Sequence, residues 1–153
     1  LLSDQLFGWI LASSTTRSKV MVRKLKPEIK QLWLAALRSG DYKQTTGFLR
    51  EADNSMCCLG VLCNLHAQAH PKIAVRQDDP TLYMGNIAIP PDEVLKWAFK
   101  GWKHKDDSTV VFREDGIDDR GRYTYGGHTN LAGLNDTDLY SFKQIANVID
   151  KYL

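Results

Sequence analysis

Three features of the sequence predict an α+β domain: an amphipathic stripe that begins after Pro27, a run apolar on every side from about 57 to 69, and short segments rich in β-branched and aromatic residues around them. Together they predict several helices packed on a small, mainly antiparallel sheet, with the helix at about 57–69 buried at the centre.

Residues 1–20 read as a leader or appended extension, because position 1 is not methionine, Ser13-Ser14-Thr15-Thr16 is a polar linker, and Met21 opens a segment that reads as a natural start. A single α+β domain is then expected over 21–153. Leu6, Phe7, Trp9, Ile10 and Leu11 form an apolar cluster inside the leader. Pro27 suits a first helical position, and Ile29, Leu32, Trp33, Ala36 and Leu37 make one stripe of a helix that Gly40 ends. Tyr42 to Arg50 reads as a strand, followed by turn chemistry at Glu51-Ala52-Asp53-Asn54. The central helix then runs from Cys57 to about Ala69, where Pro71 stops it.

Beyond an irregular stretch at 72–89, Pro91 starts a short helix carrying Val94, Leu95, Trp97, Ala98 and Phe99, closed by Gly101. Thr109 to Arg113 and Arg122 to Tyr125 read as two strands of a ribbon with a long glycine-containing link. Ser141-Phe142-Lys143-Gln144 is a capping box, and Phe142, Ile145, Ala146 and Ile149 supply the buried face of the last helix.

A chain of 153 residues with 43% hydrophobic content has the size of one domain, long enough to bury roughly 68–70% of its unfolded surface without a disulfide or metal scaffold. Basic and acidic residues number 20 and 18, so no global field demands nucleic acid or an anionic membrane as partner. The only apolar run near the start, Leu6 to Ala12, is far shorter than the ~20 residues of a spanning helix, so no membrane segment is expected. All three cysteines fall between positions 57 and 63, a packing that suits reduced, buried thiols and a cytoplasmic setting.

Four constellations are candidates for chemistry. Cys57 or Cys58, at the start of a helix whose positive dipole end favours thiolate, is a candidate nucleophile; His128 is its candidate base, and Asn130 or Asp136 the group that orients the ring. The bland alternative is that these thiols act as small buried hydrophobes. Cys63, His66 and His70 share one helical face, but a fourth ligand is lacking, so no metal site is assigned. Arg17, Lys19, Arg23, Lys24, Lys26 and Lys30 form a basic stretch over 17–30 that suits a phosphate backbone, with Tyr42, Lys43, Gln44 and Arg50 as candidate binding residues beside it. Its alternative is a solvated helix start. The paired aspartates at 78–79, 106–107 and 118–119 match no cation-loop spacing, and the glycines match no phosphate-binding fingerprint, so no cofactor is expected.

Three blocks carry a resemblance: Leu32-Trp33…Ala36-Leu37-Arg38-Ser39-Gly40…Tyr42-Lys43-Gln44, then Cys57-Cys58-Leu59-Gly60-Val61-Leu62-Cys63, then Leu134-Asn135-Asp136…Ser141-Phe142…Ile145-Ala146…Ile149. In this order they resemble a family of small, functionally unassigned proteins of tailed bacteriophages and prophages, over roughly residues 25–152. The resemblance implies an accessory protein at work in the cytoplasm of a bacterial host. Its expected role is non-enzymatic binding of a host or phage macromolecule or a small ligand, countering host defence among the options. Cys58-Leu59-Gly60-Val61-Leu62 is also similar to the cysteine helix of NlpC-type papain-like hydrolases. That second similarity implies the alternative, a cysteine hydrolase using Cys57 or Cys58 with His128.

Overall fold

The computed structural model describes residues 24–74, 78–102, 111–113, 116–117, 123–124, 128–137 and 139–153, with the backbone alone at 74 and in the strands between 111 and 130. The leader at 1–20 lies outside the described residues, as do Arg17, Lys19 and Arg23.

Helix α1 spans Pro27–Ser39, opened by the proline and closed by Gly40 in the left-handed region at φ 82°. Its buried face is Ile29, Trp33, Leu34 and Leu37, whereas Leu32, expected in the stripe, is half exposed. Helix α2 spans Cys58–Ala69 and is the centre of the molecule, with every residue from Cys58 to Cys63 buried. Pro71 does not simply stop it: a single turn, α3 (Pro71–Ala74), starts at that proline. Helix α4 is Asp92–Ala98, α5 is Leu131–Asp136 and α6 is Phe142–Tyr152. Both arms of the capping box are formed at α6, Ser141 Oγ accepting from the Gln144 amide at 3.3 Å and Gln144 Oε1 from the Ser141 amide at 2.9 Å.

Helix α2 packs against α1, α3, α4 and α5, and α1 lies along α6. The described chain is clipped where its ends meet: the Leu25 amide donates to the Leu153 carbonyl at 3.2 Å, the Lys26 amide to Ala98 at 2.8 Å and the Lys100 amide to Lys24 at 2.9 Å.

The expected architecture of helices on a sheet is overturned. Among the described residues the buried core is built from helices and the segments that link them, and no sheet layer lies beneath. Tyr42 to Arg50 is not a strand; Gln44 and Arg50 each make one isolated bridge to Met56. Among the described residues, apart from isolated bridges, strands pair in two short antiparallel ladders, β1 (Val111–Arg113) with β4 (His128–Asn130) and β2 (Gly116–Ile117) with β3 (Tyr123–Thr124). Ladders of two or three residues cannot bury a face wide enough to support helices. The fold is mostly helical. Among the described residues no helix is long and apolar enough to cross a membrane.

Candidate functional site

The cysteine-rich start of α2 was the first candidate for chemistry. Cys57 is its N-cap, and its Sγ accepts from the Gly60 amide at 3.4 Å. The Cys58 thiol lies 3.6 Å from the Leu131 carbonyl, and the Cys58 carbonyl accepts from Trp33 Nε1 at 3.1 Å. All three cysteines are free and buried. Burial, the largest influence, raises the pKa of each above the ordinary thiol value, although the Gly60 amide pulls Cys57 the other way. The negative charge of Asp136 pushes Cys57 and Cys58 further up. The helix-end effect expected to favour thiolate is therefore outweighed by desolvation. His128 opens β4 opposite Arg113, and the side chains of His128 and Asn130 lie outside the described residues.

A second feature emerges on the outer side of α2. Gly60 has no side chain, and a Cβ there would stand 1.7 Å from the Leu49 carbonyl oxygen, so the segment 49–56 presses directly on the helix. That segment is held by the Leu49 amide donating to the Ile87 carbonyl at 2.8 Å and by a tight turn in which the Asn54 amide donates to the Glu51 carbonyl at 3.0 Å. Opposite it, Asp79 Oδ1 accepts from the amide and hydroxyl of Thr81 at 2.8 and 2.7 Å, and Tyr83 and Asn86 exchange backbone hydrogen bonds at 2.9 Å. Between these two walls lies a cleft of about 230 Å³. Its lining is Leu49, Arg50 and Met56 from one wall, Gly60, Cys63, Asn64 and Ala67 from α2, and Pro80, Leu82 and Tyr83 from the other.

The four expected binding residues divide. Arg50 lines the cleft, its Nε and Nη2 both donating to Asn54 Oδ1 at 3.2 and 2.5 Å. The Tyr42 hydroxyl accepts from Nδ2 of the lining residue Asn64 at 3.0 Å. Lys43 is exposed and paired with Asp53 at 2.6 Å, which holds the Asp53 carboxyl well below the usual carboxylate range. Gln44 turns inward. Its Nε2 donates to Asn135 Oδ1 at 2.8 Å and to the Tyr140 carbonyl at 2.7 Å, and its Oε1 accepts from the Phe142 amide at 3.1 Å.

Asn135, fully buried, is the hub of that network. Its Oδ1 also accepts from the Cys58 amide at 3.2 Å, while Nδ2 donates to the Thr45 carbonyl at 2.8 Å and to Asp136 Oδ1 at 2.7 Å.

An aromatic and imidazole cluster flanks the cleft. His66 Nδ1 lies 2.6 Å from the Tyr83 hydroxyl, His66 stacks on His70 with centroids 4.2 Å apart, and Trp97 meets both rings edge-on. His70 Nδ1 faces the His66 carbonyl at 2.9 Å, an acceptor, so that nitrogen carries the proton. Burial and then the neighbouring His70 lower His66 to about 4, and burial pushes the Tyr83 phenol up to about 12. Both are neutral near pH 7. Cys63, His66 and His70 do not converge: among the described residues no group of three metal-binding side chains comes together.

The described part of the basic stretch serves the fold. Lys24 Nζ donates to the Tyr152 carbonyl at 2.9 Å, Lys26 to Lys96 at 3.2 Å and Lys30 to Asp150 at 2.8 Å. Two of these satisfy carbonyls near the end of α6.

Reasoning from sequence missed Asn64, Leu82 and Tyr83. Asn64 carried a signal, as the one polar residue in the run from Leu59 to Leu65. Leu82 and Tyr83 carried none, because an irregular segment has no periodicity to read.

Residues 25–153 match the model of a family described as a domain of unknown function, DUF8296. No curated protein and no solved structure matches the chain.

Proposed function

This chain belongs to the family of the domain of unknown function DUF8296, and from that premise we propose that it is a non-enzymatic binding protein whose cleft beside α2 receives a small ligand. In the setting implied by its sequence resemblance, it is a phage or prophage accessory protein acting in the bacterial cytoplasm, with modulation of host machinery or defence as its role. One observation carries the binding reading: the cleft gathers Arg50, Asn64 and Tyr83 over an apolar floor, while all three thiols are buried. A concave, mainly apolar site with a few convergent polar groups is the usual form of a small-molecule site. The test is ligand-observed NMR of a fragment set against the wild type and Ala67→Phe, a change that fills the cleft. Fragments that bind the wild type and not the variant support the reading. A set that binds neither, or both alike, contradicts it.

A second reading, a cysteine hydrolase using Cys57 or Cys58 with His128 and Asn130, draws on one feature. Cys57 caps a buried helix, and His128 opens a strand that runs straight into α5, which packs on that helix. Burial of both sulfurs weighs against it. Timed iodoacetamide labelling of the folded protein separates the readings: slow modification at all three thiols is expected, and rapid modification confined to Cys57 or Cys58 would favour the hydrolase.

A further inference from the structure

We infer that the ligand of this cleft is a small organic carboxylate on a compact apolar body, such as one aromatic ring, with Arg50 as its counter-charge. The inference rests on the binding reading above and names the chemical class of ligand.

Size comes first. A cleft of about 230 Å³ exceeds the roughly 150 Å³ cavity that holds benzene and falls below the roughly 300–1,000 Å³ of drug-sized pockets. One ring, or an acyl group of similar bulk, with one polar substituent fits those bounds.

Chemistry comes second. Leu49, Met56, Cys63, Ala67, Pro80 and Leu82 are apolar residues of the lining and suit an apolar ligand body. Arg50 is the one charged residue of the lining. Its guanidinium gives two of its five N–H donors to the side-chain oxygen of Asn54, a neutral group that positions the fork without cancelling its charge. Among the described residues no carboxylate pairs with Arg50. The remaining donors match a planar carboxylate in a bidentate arrangement, the geometry for which arginine is suited and lysine is not. Tyr83 and His66, both neutral near pH 7, add no opposing negative charge. A neutral ligand of the same shape would cover the guanidinium without compensating it, which costs affinity.

The experiment is a titration by NMR of the full chain with benzoate and with benzamide, an uncharged ligand of the same shape, at low ionic strength. It uses the wild type, Arg50→Gln and Ala67→Phe, with Leu82→Trp as a second cleft-filling change should Ala67→Phe unfold. Benzoate is expected to bind the wild type about tenfold tighter than benzamide. Arg50→Gln, which lies at a half-exposed position and leaves the core intact, should erase that preference. The cleft-filling variant should lose both probes. Equal binding of the two probes to the wild type, lost for both on filling the cleft, would overturn the carboxylate assignment and leave the cleft as a binding site. Binding of neither probe, or benzoate binding that survives filling of the cleft, would overturn the assignment and the cleft reading together.

Discussion

At the scale of single residues, two side chains that the sequence placed in motifs prove to serve the interior. Asn135 uses both polar atoms of its amide in four hydrogen bonds with no access to water, joining Cys58 at the start of α2, the 44–45 segment and its neighbour Asp136. Asn135→Leu strands the buried Cys58 amide, at a cost of about 1–3 kcal/mol, and takes one partner each from the part-buried Thr45 carbonyl and from Gln44 Nε2, which keeps the Tyr140 carbonyl, at about 1 kcal/mol each. A loss of at least about 3 kcal/mol in denaturant unfolding is expected; a loss under about 1 kcal/mol would mean that the network relaxes onto water. Gly60 poses a steric case instead. Alanine there sets a methyl against the Leu49 backbone, so Gly60→Ala should cost about 3 kcal/mol or more, the upper end of overpacking, although glycine in a helix normally disfavours the fold. A gain in stability on that change would contradict the close approach. Arg50 was legible as a candidate because its charge is read from the sequence without knowing its partners, and the structure places it in the lining of the cleft. The inward roles of Gln44 and Asn135 were not legible, since their partners lie some ninety residues away in the chain and no local pattern encodes them.

At the scale of elements, helices were legible because their signals are local. Pro27, Gly40, the apolar run from Cys58 and the capping box at Ser141 each act within a few residues of themselves. Ser141→Ala removes the hydroxyl that accepts from the Gln144 amide and should lower stability by about 1 kcal/mol, the usual worth of an N-cap. No change in the unfolding midpoint would indicate that Gln144 alone secures that end. The 42–50 segment illustrates the opposite case. Its threonines and aromatics suit a pleated surface, yet a strand needs a partner along its length, and here the only extended pairing is single bridges to Met56. Leu32 was misplaced in the stripe of α1 because periodicity defines a face without saying on which flank α6 will lie; Leu34, on the other flank, is the one covered.

For the whole molecule, the expected α+β class failed at the step from segments to layers. Short β-prone segments were present, but nothing in the sequence says that they pair as ladders of two or three residues beside a helical core. The molecule should also respond to acid in a definite sense. Burial lowers His66 from an ordinary value of 6.5 to about 4, so between these values the unfolded chain binds a proton that the folded chain does not. Stability is therefore fully present above the ordinary value and declines as pH falls through this window. Thermal unfolding between pH 7 and 5 should show that decline, and His66→Gln should flatten it; an unchanged slope in the variant would place the titrating group elsewhere. The cleft draws its walls from three separate stretches of chain, which is why no single motif announced it. Its role as a ligand site is tested most directly by amide chemical-shift mapping of benzoate on the isotope-labelled full chain. Shifts confined to the lining around Arg50, Met56, Asn64, Leu82 and Tyr83 are the expected result, and shifts along α1 and α6 with none at that lining would contradict it.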